Sequence, residues 1–441
     1  MASVADRIVR ALAANGVRRL HAGPGPTGME DAVERHPGMH WSRVGREESA
    51  PFAASGDAAM TGEPAVCVSR FRSPGDRPLD DGALDGLADA QLSGVPVLAI
   101  AIRTGGGLEA DLRAFRLTAH GVSVEAAERP EDVARVVAAA TRAAVEENGV
   151  AVVVVDEAVL GAAVPGGHGD SGPPPSITAT RPIVRPRDDD LAAAARILDG
   201  ARRITIVAGA GVAGAQNEVA RLAHTLRAPV AHTLRGKEHV EGGRSDIGML
   251  GPIGSGWADD AVAASDVVLL LGTDLRYGAP RNDDATVVQV DLRGSRLGRR
   301  LPVDLALTGT VLDTLRALHP RLEPRFDTAH LDDAVAGYAS ARRADDRRAL
   351  VHLDSATASA AVLLNRLAES DAVFSLDVGA EELAAARLLR MNGERRLIGS
   401  FSRASTRGAL PLALGAQSAH PDRQVVALLG EGGRTAPRAP A

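Results

Sequence analysis

Three stretches of this sequence bring together residue types that do chemistry. Residues 425–429 (VVALL) read as a buried strand that runs into Gly430-Glu431-Gly432-Gly433, a carboxylate set between glycines at a strand's C-terminal end. That is where parallel α/β sheets hold diphosphates and their metal ions. Residues 204–208 lead into Gly209-Ala210-Gly211-Val212-Ala213-Gly214, which has the form GxGxxG. Glycines at such a turn admit a phosphate in some proteins and merely allow tight packing in others. A dinucleotide fingerprint also wants an acidic ribose ligand about 20 residues on, at the end of the second strand. His232-Thr233 stands there instead, which disfavours ordinary NAD binding. The third stretch is Leu234-Arg235-Gly236-Lys237-Glu238-His239-Val240-Glu241. Lys237 is the one lysine among 50 basic lysine and arginine side chains, so either chance or a site that needs a compact ammonium has kept it.

Short Val/Ile/Leu runs alternate with helical periods along the whole chain, the pattern of parallel sheets covered by helices. The fold class is α/β, in three consecutive parallel-sheet units: residues 1–165, 187–325 and 350–441. Only residues 434–441 (RTAPRAPA) follow the last glycines, too few and too Pro-rich for another element, so the third unit is expected to be incomplete. A Pro/Gly-rich linker spans residues 161–186, and the charged stretch 341–348 reads as a solvated helix. At 441 residues and 45% hydrophobic content the chain can bury large cores. A net charge of -6 and 2% aromatic residues argue against nucleic acid. No apolar run is long enough for a signal peptide or a membrane span, so a cytoplasmic protein is expected. The single cysteine, Cys67, lies in an apolar run and reads as a buried small hydrophobe.

RGKEHVE at 235–241, the glycine-rich Gly248-Met249-Leu250-Gly251-Pro252-Ile253-Gly254, LRMNGERRLIGSF at 389–401, and ALGAQ at 413–417 with residues 423–430 resemble the thiamine-diphosphate-dependent pyruvate oxidases, most of all the quinone-linked pyruvate dehydrogenase branch. The resemblance runs in order along essentially the whole chain. It implies a pyrimidine-binding domain, a central flavin-binding domain and a diphosphate-binding domain, the last about half present.

Carried over position by position, the resemblance puts the family's activating glutamate on Glu47. A carboxyl held against the aminopyrimidine ring must exchange a proton with it, which an apolar setting favours. On residue type alone, a glutamate at a helix start is more often a partner of the helix dipole than a catalyst. Arg46 replaces the family's usual histidine, and a fixed cation there is expected to favour ionised Glu47. FAD contacts are implied for Leu250, Gly251, Pro252 and Ile253, for Thr273, Asp274, Leu275, Arg276 and Tyr277, and for Asp291, with Arg235, Gly236 and Lys237 as further candidates. In the third unit Ala404, Ser405 and Thr406 fall where the family uses Gly-Ser-Met near the thiamine ring. Glu431 takes the place of the metal-binding aspartate, with Gly432 and Gly433 beside the diphosphate.

The cofactors so implied are thiamine diphosphate, Mg2+ and FAD. The parent reaction is oxidative decarboxylation of pyruvate to acetate and CO2, with electrons passing through FAD to quinone. The family builds each site from two subunits, so a homo-oligomer or a partner subunit is expected. Two further readings stay open: a non-catalytic FAD-binding or regulatory homologue, and a thiamine-diphosphate enzyme acting on another 2-oxo acid, as acetolactate synthase does.

Overall fold

A computed structural model describes residues 3–24, 28–72, 81–104, 123–163, 176, 182–275, 282–351 and 356–430. The first sheet contains β1 (Arg19–Ala22), β2 (His40–Arg43), β3 (Ala65–Arg72), β4 (Val97–Thr104), β5 (Ser123–Ala127) and β6 (Val150–Asp156), in the order β2-β1-β3-β4-β6-β5. The second contains β7 (Ile204–Ala208), β8 (Val230–His232), β9 (Asp246–Met249), β10 (Val267–Leu271), β11 (Thr286–Asp291) and β12 (Leu305–Thr308), in the order β12-β11-β10-β7-β8-β9. The third contains β13 (Val373–Leu376), β14 (Arg396–Gly399) and β15 (Val425–Leu428), in the order β14-β13-β15. All three sheets are parallel, as the α/β reading requires.

Burial on both faces explains why the central strands are apolar without alternation. In β3, Val66 and Val68 pack with the helices Val4–Ala14 and Val133–Glu147, while Ala65 and Cys67 face Ser49–Thr61. The same division holds in β4, where Leu98, Ile100 and Ile102 lie on one face and Val97, Ala99 and Ala101 on the other. The second face is lined by small residues, which lets the Ser49–Thr61 helix sit close to the sheet. That helix in turn packs on Ala409–Ala419. A Cβ on Gly56 would strike the carbonyl of Leu412, and one on Gly415 would strike that of Ala53, so these helices touch backbone to backbone.

Contacts divide the chain into two compact units. One comprises residues 1–181, 373–379 and 398–441, the other residues 182–372 and 380–397. Three local expectations need correction. β15 is half-exposed at all four positions rather than buried, because it is an edge strand of its sheet. The helix expected from Glu47 begins at Ser49, since the carbonyls of Arg46 and Glu47 accept the Ser49 and Ala50 N–H groups at 3.0 and 3.2 Å in a preceding turn. The stretch 341–348 lies within the helix Ala329–Val351, but it is not simply solvated: Asp345 faces Arg387 at 3.6 Å and Asp346 pairs with Arg390. Among the described residues no helix is long and apolar enough to cross a membrane.

Candidate active site

Chain order reverses in the first sheet between β1 and β3, and ligands of open parallel sheets bind at such switch points, beyond the strands' C-terminal ends. β1 ends there at Ala22, and Glu47 lies directly against Gly23, the next residue. A Cβ on Gly23 would come within 2.7 Å of both Cα and Cγ of Glu47, so only glycine lets the glutamate settle over the strand end. Glu47 is half-buried. The guanidinium of Arg46 pairs with the neighbouring carboxylate, its Nε 2.5 Å from Oε1 of Glu48.

The third sheet contributes a second set of groups to the same compact unit. Asp377 follows β13, is 1% exposed, and accepts the Ala409 N–H at 2.9 Å and the Gly430 N–H at 3.1 Å. One carboxylate thus ties the start of the Ala409–Ala419 helix to the end of β15. Ser400 is fully buried and donates to Asp89 at 2.8 Å, while its Oγ accepts the Ser405 N–H at 3.2 Å. Ala404 has φ 64°, in the left-handed region that glycine tolerates best, and its N–H is held by the Ser400 carbonyl at 2.7 Å. Thr406 is exposed. Glu431, Gly432 and Gly433 lie outside the described residues.

In the second unit the switch point falls between β7 and β10. Gly209 and Gly211 pack there against Gly272: a Cβ on Gly211 would be 2.6 Å from the Gly272 Cα. Their N–H groups are donated to the carbonyls of Leu271 and Gly272 at 2.9 and 3.1 Å. The GxGxxG stretch therefore serves tight packing, and these two amides are not aimed at a phosphate. Asp291 is buried at the end of β11, where desolvation raises its carboxyl above the ordinary range against the Arg293 N–H it accepts at 2.8 Å. Thr273 is also buried and its Oγ accepts the Leu275 N–H at 3.0 Å, with Leu275 at φ 52°. Asp274 lies 3.7 Å from Arg300. Gly251 donates to both carboxylate oxygens of Asp259 at 3.2 Å in the loop that holds Leu250, Pro252 and Ile253. Arg276 and Tyr277 lie outside the described residues.

Lys237 is 1% exposed, with Nζ 2.9 Å from Glu241 and 3.4 Å from the Arg387 carbonyl it donates to. Glu241 also accepts the Met391 N–H at 2.9 Å, and Glu238 accepts the Leu397 N–H at 2.8 Å and pairs with Arg396 at 2.9 Å. The RGKEHVE stretch thus grips the segment 387–397 of its own unit. Gly236 abuts the end of β7, where a Cβ would come within 2.8 Å of the Ala208 carbonyl carbon. Arg235 is half-buried.

Sequence reasoning missed Asp377, Asp89, Ser400 and a triad between β1 and the helix Ser49–Thr61. In that triad Arg19 makes two 2.8 Å bonds to Asp57, and His21 Nε2 lies 3.0 Å from the same carboxylate. Only Asp377 carried a local sign, as an aspartate directly after an apolar strand. Among the described residues no group of three histidine, cysteine, aspartate or glutamate side chains could hold a metal.

Three family models match the chain: thiamine pyrophosphate enzyme, N-terminal TPP binding domain, over residues 2–116; central domain, over residues 191–318; and C-terminal TPP binding domain, over residues 377–436. The chain is 37% identical to an uncharacterized 42.6 kDa protein in the isoamylase 3' region of Pseudomonas amyloderamosa, over 78% of this chain and 87% of that protein. It is 28% identical to the pyruvate oxidase of Lactiplantibacillus plantarum, over 97% of this chain and 72% of the oxidase. It is also 28% identical to an acetolactate synthase of Mycobacterium bovis, over 97% of this chain and 71% of the synthase.

Proposed function

Because the chain belongs to the thiamine pyrophosphate enzyme family, we propose that it binds thiamine diphosphate and decarboxylates pyruvate, with Glu47 as the residue that exchanges a proton with the coenzyme. The observation that carries this is the seat of Glu47 on Gly23 at the switch point of the first sheet. The glycine at the strand end seats a carboxyl where ligands of parallel sheets bind. Thiamine diphosphate, when bound, supplies the electron sink that lets a 2-oxo acid lose its carboxylate as carbon dioxide. Glu47 would hold a proton against the pyrimidine ring nitrogen, half-shielded from water, where the proton can move without a solvent shell being rebuilt. Ala404, Ser405 and Thr406 would meet the ring from the third sheet. Glu431 is the residue to test for Mg2+.

Two outcomes for the remaining two-carbon unit follow from the relatives. In the oxidase reading, pyruvate and water yield acetate, carbon dioxide, two protons and two electrons, and the electrons pass to a flavin and then to a quinone. Asp274 and Asp291 suit the hydroxyls of an FAD ribose, and Lys237 stands in the same unit with its ammonium paired to Glu241. In the second reading the unit is joined to another 2-oxo acid, as the name acetolactate synthase describes; equal identity to that relative and to the oxidase supports it. Either enzyme is proposed to work as a homo-oligomer or with a partner subunit.

Calorimetric titration of thiamine diphosphate with magnesium into the purified chain tests the reading, with Glu47→Gln alongside. Binding by the wild type with turnover of pyruvate is expected, and the variant should bind yet lose about 10²-fold or more in rate. Acetate as product supports the oxidase, and acetolactate the second reading. No binding by the wild type would leave a non-catalytic homologue as the answer.

A further inference from the structure

Ser400 and Asp89 are 311 residues apart in sequence, and their side chains meet at 2.8 Å with neither more than 1% exposed. A serine hydroxyl has one proton and two lone pairs, so once it donates to the carboxylate its oxygen is left as an acceptor. The Ser405 N–H takes up that acceptor at 3.2 Å, and the Ser400 carbonyl takes the Ala404 N–H at 2.7 Å. Between these bonds sits Ala404, at a φ of 64° that an L-residue with a Cβ adopts only under constraint. A second link, Arg403 to Asp85 at 2.6 Å, joins the same turn to the same helix, Asp81–Ser93, one turn from Asp89. Both of its side chains are more than one-third exposed, so it can add little. The buried serine does the holding.

We infer that Ser400 and Asp89 are positioning residues for the turn 404–406. The carboxylate fixes the hydroxyl rotor, the hydroxyl fixes the Ser405 amide, and the turn is held in its left-handed form before any coenzyme arrives. The inference rests on the proposed function for what the turn contacts, but the brace itself is a property of the apo chain.

The test is amide hydrogen exchange on the apo protein, followed by titration with thiamine diphosphate and magnesium, for wild type, Ser400→Ala, Ser400→Thr and Asp89→Asn. In Ser400→Ala, protection at Ala404 and Ser405 should fall about tenfold, the equivalent of one modest buried hydrogen bond, while the amides of β13 in the same unit stay protected. Ser400→Thr retains the hydroxyl and should restore protection, and Asp89→Asn should fall between. Thiamine diphosphate affinity should fall in the same order. A merely structural role would lower protection in β13 as well, and that result would overturn the inference. So would wild-type protection at Ser405 in Ser400→Ala, or unchanged coenzyme affinity in a variant whose turn has loosened. If the wild type binds no thiamine diphosphate, the functional reading fails, and the exchange pattern alone decides whether the brace exists.

Discussion

Lys237 and Glu241 stand one helical turn apart, and their charged groups meet at 2.9 Å with each side chain 2% exposed. A buried pair adds little net stability over a well-packed apolar pair, but breaking it by removing one partner strands a charge. Glu241 is doubly engaged, since burial pushes its pKa up while Lys237 and His232 outweigh that and hold it below the ordinary range. Lys237→Met should therefore destabilise the protein by about 3–5 kcal/mol, and Lys237→Met combined with Glu241→Leu by clearly less than the two single changes together. Urea unfolding of the four proteins measures this. Acetylation of the native protein should leave Lys237 unmodified until urea exposes it, which mass spectrometry reads directly.

Ala404 supplies a prediction of the opposite sign. Its left-handed backbone costs an L-residue about 1–2 kcal/mol, partly offset in any glycine variant by the greater freedom of the unfolded chain. Ala404→Gly should raise stability by a few tenths to about 1 kcal/mol, and Ala404→Val should lower it by more. Thermal unfolding of both variants distinguishes this from a turn that relaxes freely, for which neither would matter.

What could be read in advance followed from how local its cause is. β10 is a continuous apolar run, and β6 and β7 are nearly so, broken only by the terminal Asp156 and by Thr205. β1 (RLHA), β2 (HWSR), β5 (SVEAA) and β9 (DIGM) went unread because they are short and partly polar. Three of the four are edge strands, which need no apolar residue on every side. β1 is interior, but its Arg19 and His21 are made tolerable by Asp57, a residue of a helix that the strand's own sequence says nothing about. The lone lysine drew notice by its rarity. That it forms a buried ion pair depends on Glu241, and its contact with the Arg387 carbonyl on a segment 150 residues away. The Ser400–Asp89 pair left no local mark at all.

The crossing of Ser49–Thr61 with Ala409–Ala419 makes two glycines indispensable. A methyl group on Gly415 would meet the Ala53 carbonyl and lie 3.0 Å from the Asp57 nitrogen, and backbone cannot step aside as a side-chain tip can. Gly415→Ala and Gly56→Ala should each destabilise by about 1–3 kcal/mol despite alanine's better helix propensity. Gly200→Ala, at the end of the exposed-ended helix Asp188–Gly200 where a Cβ meets nothing within 4 Å, is the control. It should be neutral or mildly stabilising in chemical denaturation, and equal effects at all three positions would argue against backbone contact between the helices.

The pH dependence of stability follows from three histidines. His232 is fully buried, its Nδ1–H donates to the Thr233 carbonyl at 3.2 Å, and its Nε2 has no hydrogen-bond partner among the described residues. Burial lowers its pKa, with Asp246 only partly opposing, and burial also lowers those of His239 and His330. A histidine whose folded pKa lies below its unfolded value of about 6.5 binds more protons unfolded than folded in the interval between the two. Stability is then complete above pH 6.5 and falls on acidification, by up to about 1.4 kcal/mol per pH unit for each group that remains neutral in the fold. Asp57, which burial raises but His21 and Arg19 bring below the ordinary range, extends the loss to lower pH: its contribution is present above the unfolded carboxylate value near 3.8 and disappears as pH drops through the folded one. Melting temperature should therefore be flat from pH 8 to about 7 and decline below it, the decline eased towards pH 4 by Asp259 and Asp291, whose carboxyls burial raises so that they take up protons in the fold first. His232→Gln should lower the plateau yet flatten the slope between pH 6.5 and 5; an unchanged slope would show that His232 takes up its proton in the fold and in the unfolded chain alike.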